Sequence, residues 1–245
     1  MYKNINSASR IHALLSAASG HPNKAIWEMW AEVFAVKGSD HSETAELVSE
    51  RLNWLHIELQ LLQVQAKTAT ISPHLYEGSL ARIRSLLSPL ILSSPWDGSR
   101  GNLTADVLLS VAFLNELLPD EENAISDQEF QRISDMAAEL ASSMEHSDLP
   151  EALRRLIDHH LQLIAKALAQ YKVFGARALR EAGRTALGEI VELKDTVQAS
   201  KQSEEMSRLG KLWKQVNGAA DAALKAEKIA QLGHKAWEAA SGLLS

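Results

Sequence analysis

Two adjacent histidines, His159 and His160, follow Asp158 in a stretch of leucine, alanine and charged residues. Imidazole exchanges protons near neutral pH and is a common metal ligand, so this pair is where chemistry is sought first. Neighbouring helical residues point about 100° apart, so one helix cannot easily bring both rings onto a single ion. No histidine lies three residues after a glutamate, and His-Glu-x-x-His is missing, which removes both helical metal signatures. No metal and no other cofactor is expected. Arg154 precedes His159 by four intervening residues, as Arg155 does His160 and Arg51 does His56. A permanently charged fork suits a phosphate, and a proton carrier of near-neutral pKa suits the hydroxyl that attacks it.

This spacing resembles the Arg-x(4–6)-His signature of HEPN-domain ribonucleases, which are all-helical proteins. The resemblance implies a metal-independent ribonuclease of a bacterial defence or toxin–antitoxin system. Arg154 with His159, or Arg155 with His160, would promote attack of a ribose 2′-hydroxyl on its own phosphate near a dimer interface. It covers six or seven residues. In the family a polar residue usually follows the arginine, whereas here Leu52 follows Arg51 and Arg155 follows Arg154. The competing expectation is a charged helix face that happens to carry two histidines.

Other candidates are weaker. The Trp96–Asn102 stretch offers Arg100, two glycines and a serine near a helix start, a set able to hold a phosphate or carboxylate. Its spacing matches neither the Walker A pattern nor the dinucleotide fingerprint, and a turn pinned by a buried tryptophan is the alternative. Glu189 and Glu192 fall on one helix face, where a solvated acidic pair is expected. No Gly-x-Ser-x-Gly elbow occurs, so no serine hydrolase is indicated.

The net charge of −6 argues against a dedicated nucleic-acid binder. There is no cysteine, which excludes disulfides, thiolate metal sites and cysteine nucleophiles. The first ten residues lack the apolar core of a signal peptide, and no apolar run is long enough to span a bilayer, so a cytoplasmic protein is expected.

Helical patterns dominate, and all six prolines fall at or before Pro150. Helices are predicted near 6–18, 22–36, 41–67, 74–92, 103–118, 127–145, 149–172, 176–199, 204–217 and 219–241. Ser126 with Glu129, and Asp40 with Glu43, supply N-terminal caps; Asp148 with Glu151 offers another, and Ser72–Pro73 a further start. The stretch 93–102 reads as the strongest loop. Gly175, Gly183 and Gly188 each cost about 1 kcal/mol inside a helix, so either a close helix crossing or a kink must explain them. The fold class is all-α, an irregular multi-helix bundle over 1–199 with a C-terminal amphipathic helical arm over 200–245.

In that arm Met206, Leu209, Trp213, Val216, Ala220 and Ala223 follow three- and four-residue steps, the pattern of a packing seam. Ile229, Leu232 and Trp237 continue a looser apolar face, with Lys211, Lys214, Lys225, Lys228 and Lys235 around it. The expected function is a non-catalytic interaction protein that binds a protein partner, or a second copy, through these helices. Trp213, Val216, Leu232 and Trp237 are the expected contacts if the arm is exposed. A membrane-associating effector that lays the arm on an anionic surface ranks behind that.

Overall fold

The computed structural model describes residues 4–145, 147–199 and 203–225. Its described residues form eleven α-helices and two short 3₁₀ turns with no strand, so the chain is all-α. None of these helices is long and apolar enough to cross a membrane. The chain divides into two compact units, Met1–Glu121 with Lys172–Phe174, and Glu122–Tyr171 with Gly175–Ser245.

The first unit opens with α1 (Ser7–Ser19), started by a reciprocal cap. The Asn6 side chain accepts from the Ser9 amide, and the Ser9 hydroxyl accepts from the Asn6 amide. The side-chain Nδ2 of Asn6 also donates to the Asn115 carbonyl at 3.2 Å, tying the start of α1 to the last turn of a distant helix. Then come α2 (Ile26–Phe34), α3 (His41–Thr68), α4 (Glu77–Leu86), α5 (Trp96–Arg100) and α6 (Ala105–Leu117). Asp40 caps α3 as expected, accepting from the Glu43 amide at 2.9 Å. The core collects Ile11, Leu15, Trp30, Leu55, Leu59 and Trp96, all fully buried.

The second unit holds α7 (Asp127–Met144), α8 (Glu151–Phe174), α9 (Arg177–Glu192), α10 (Lys194–Ala199) and α11 (Glu204–Ala223), the last turn of α8 counting with the first unit. Ser126 caps α7 and Ser203 caps α11. α11 packs along α7 and α9, and Met206, Leu209, Trp213, Val216 and Ala220 lie fully buried against Ile157 and Ile164. The packing seam read in the sequence is therefore covered by the chain itself. The division falls at 121/122 rather than at 199/200, because that seam is long enough to make α11 part of a bundle.

Several predicted boundaries shift for local reasons. The helix expected over 74–92 becomes Pro73–Leu75, Glu77–Leu86 and Pro89–Ile91, because Pro89 cannot continue the ladder and Ser88 caps a new turn. The helix expected from 22 starts at Ile26, because residues before it pair with the 93–102 stretch: the Trp96 amide donates to the Lys24 carbonyl at 2.8 Å. That stretch, read as a loop, contains α5. Asp148 caps nothing, since α8 starts after Pro150. The helices expected over 204–217 and 219–241 join into one as far as Ala223, and residues 226–241 lie outside the described residues.

The three glycines divide between the two explanations. Gly175 ends α8 at φ 64° and ψ −156°, a region that is essentially glycine-only. A Cβ there would overlap the buried Glu122 carboxylate, which accepts from the Ala176 amide at 2.5 Å at the start of α9. Gly183 lets Asn217 of α11 approach so closely that a Cβ would meet its side-chain oxygen. Gly188 faces open space. Gly175→Ala is therefore expected to destabilise the protein by about 1–3 kcal/mol. Gly188→Ala is expected to stabilise it by up to about 1 kcal/mol. Urea unfolding of the two variants checks both signs.

Candidate functional site

Consecutive positions on α8 send His159 and His160 in different directions, as the helical period requires. His160 is fully buried, while His159 is 49% exposed. One carboxylate from α9 nevertheless spans both: Glu189 Oε1 lies 3.0 Å from His159 Nε2, and its Oε2 lies 3.2 Å from His160 Nε2, the second contact poorly aligned. The indole Nε1–H of Trp213 on α11 donates to His160 Nδ1 at 3.1 Å, with the rings edge-to-face at 5.7 Å. Indole nitrogen only donates, so Nδ1 must be the acceptor and the proton of neutral His160 sits on Nε2. Burial, reinforced by neighbouring His159, pushes the His160 pKa down to about 4.

With one nitrogen occupied by Trp213 and the other protonated, His160 has no lone pair left for a metal or for general-base work. Among the described residues no group of three or more His, Asp or Glu side chains is arranged to hold a metal ion. The cluster joins α8, α9 and α11 across the second unit.

The arginines of the Arg-x4-His pairs are engaged elsewhere. Arg154 turns back toward the start of its own helix, donating through Nε to the Leu149 carbonyl at 3.1 Å and through a terminal nitrogen to the Ser147 carbonyl. Arg155 is exposed and pairs with Glu151 one turn earlier at 2.9 Å. Arg51 lies 3.9 Å over the Trp54 ring and pairs with Glu50. Arg100 donates to the His21 carbonyl at 2.5 Å and pairs with Asp97 at 3.1 Å, while Trp96 is fully buried. The Trp96–Arg100 segment is thus fastened to residues 21–25 by its own arginine.

Of the expected partner contacts, Trp213 and Val216 are fully buried within the second unit. They are committed to its interior, because the seam they form is covered by α8 and its neighbours. Leu232 and Trp237 lie outside the described residues.

Two features escaped the sequence. The first is a cleft of about 420 Å³ in the first unit, formed by α3 and the end of α4. His56, Asn53, Arg84 and Ser88 reach it, with Leu52 and Leu87 as apolar wall. His56 was met in the Arg51-x4-His56 spacing, whereas Arg84 reaches the cleft from another helix. The second is α6, whose exposed side carries Leu109, Phe113 and Leu117. Large apolar residues spaced four apart, beside a second apolar row at Val107, Val111 and Leu114, were its available signal. No protein-family model, curated protein or solved structure matches the chain.

The histidine cluster has a consequence for pH. Unfolded His160 would bind a proton near its ordinary 6.5, whereas the folded one resists until about 4. Above that window neither state is charged; within it the unfolded state takes up more protons, so stability falls as pH falls. The expected loss between pH 6.5 and 4 is roughly 3 kcal/mol from this residue. His12, also lowered by burial, adds slope of the same sign. His160→Gln keeps an acceptor for Trp213 but removes the titration, so its urea midpoint should vary less across the window. An unchanged pH profile in that variant would refute the assignment.

Proposed function

We propose that the chain is a non-catalytic helical interaction protein, and that it pairs with a second copy of itself through α6. The observation that carries this is the composition of that helix. Val107, Val111 and Leu114 are buried, while on the opposite side Leu109 is 69%, Phe113 49% and Leu117 47% exposed. A row of large apolar side chains belongs in an interior, and this row on α6, with Asp106 and Glu116 beside it, is exposed.

The exposed row reads Leu-x3-Phe-x3-Leu, the same in both directions. A two-fold axis through Phe113 sets Leu109 of one copy against Leu117 of the other and Phe113 against its own copy. Full burial of such a side chain is worth about 1.5–3 kcal/mol relative to exposure, so six half-exposed ones supply a favourable contribution of several kcal/mol. Leu75, 48% exposed, lies near α6, since Ser110 donates to its backbone carbonyl at 2.9 Å.

This reading keeps the expected class of function and moves the contact from the C-terminal helices to α6, because Trp213 and Val216 are already buried. The cytoplasmic location expected from the sequence belongs to the same proposal. The ribonuclease reading has less support, as its arginines are held by backbone or by neighbouring carboxylates and His160 is sealed under Trp213.

Sedimentation equilibrium of the full chain is expected to give a dimer with micromolar affinity. Phe113→Asp should weaken it by about a hundredfold, since a charge replaces the central apolar contact. Circular dichroism should stay unchanged, because that side chain is half-exposed. A truncation after Lys225 should dimerise like the full chain. A wild type that stays monomeric at high concentration overturns self-pairing, and loss of the dimer on truncation returns the contact to the arm.

A further inference from the structure

We propose that the cleft of the first unit binds a small oxyanion, a phosphate monoester or a carboxylate, carried on an apolar body. The argument rests on which polar groups converge there and how each is already committed. The Gln60 amide nitrogen lies 3.0 Å from His56 Nε2 and donates to it, so the imidazole proton sits on Nδ1 and that nitrogen is a donor. Arg84 is steadied by one bond to Gln63 Oε1 at 3.0 Å, which fixes the guanidinium while its fork retains further N–H groups. Ser88 Oγ accepts from the Leu90 amide at 3.3 Å, leaving its hydroxyl proton to give. Asn53 contributes an amide.

No carboxylate lines the cleft, although the chain carries 31 acidic residues. A space bordered by a fixed cation and several donors repels a cation and attracts an anion. Leu52 and Leu87 are buried beneath it, and Pro89 stands at its edge, so the remainder of the ligand meets apolar surface. The volume of about 420 Å³ suits a ligand the size of a substituted ring rather than a bare ion. Arg84 and His56 come from different helices, so the arrangement exists only in the folded unit.

The test titrates the full-length protein with phenyl phosphate and, separately, with benzoate, by calorimetry and by the imidazole resonances of His56. Saturable binding of either probe at millimolar or lower concentration is expected, accompanied by movement of the His56 signals. Arg84→Gln should weaken it about tenfold or more, the loss typical of one charge-assisted contact. The tighter probe then identifies the anion. Arg155→Gln, an exposed arginine of the second unit, should leave the affinity unchanged. Absence of saturation up to about 10 mM with both probes overturns the site. So does equal affinity in wild type and Arg84→Gln, or an equal loss in Arg155→Gln, which would reveal diffuse electrostatics.

Discussion

Taking the Arg10 guanidinium out of water removes several kcal/mol of hydration, which only close and well-aligned partners can return. Arg10 is 8% exposed and Glu58 is fully buried, and the two meet at 2.8 Å. The same guanidinium meets Glu121 at 2.7 Å and donates through Nε to the Val173 carbonyl at 3.1 Å. Glu121 is held in turn by the Gln65 amide at 2.7 Å. Three separated parts of the sequence therefore converge on one cation. Removing Arg10 would break the buried pair with Glu58, at about 3–5 kcal/mol. The first unit takes its arrangement from this requirement as much as from its apolar core. Both α6 and the cleft belong to the same unit.

The second unit solves the same problem with a neutral group. His160 is kept uncharged, and its two nitrogens answer Trp213 and Glu189, so no buried charge needs a counterion there. Full charges are buried elsewhere in this unit, at Arg180 on α9, paired with Asp221 of α11, and at Glu122, which accepts from the Ala176 amide. Glycine does the remaining work: Gly175 makes the corner between α8 and α9, and Gly183 lets α11 come close enough for Asn217 to lie on α9. These contacts explain why the Glu204–Ala223 part of the predicted arm is a bundle helix.

Helix positions were largely legible because their signals are local. Asp40, Ser126 and the apolar steps of Met206–Ala223 act within a few residues, and the structure uses them as read. What failed was anything decided by a partner far along the chain. The seam of α11 was recognisable, but the sequence could not say which surface covers it, so Trp213 and Val216 stood as contacts only for an exposed arm. Glu189 was noticed as an acidic residue without its histidines, which lie some thirty residues earlier. Arg154 shows the opposite failure. Its spacing to His159 suggested chemistry, yet the nearest unsatisfied carbonyls, at Ser147 and Leu149, claimed the guanidinium first. The cleft combines both effects, since His56 and Arg84 meet only once α3 and α4 have packed.

The bond from Arg10 to Val173 joins residues 163 positions apart. During translation, at some 5–20 residues per second, Arg10 leaves the ribosome on the order of ten to thirty seconds before the carbonyl it will bind. Glu58 and Glu121 emerge first and can neutralise the cation in the meantime. The first unit thus has a nascent form with its buried cation paired and its last turn missing. It closes only after most of α7 and α8, which belong chiefly to the other unit, has been made. Such an order makes the two units interdependent in biogenesis, and a ribosome that stalls before residue 172 would release an N-terminal half lacking its final segment.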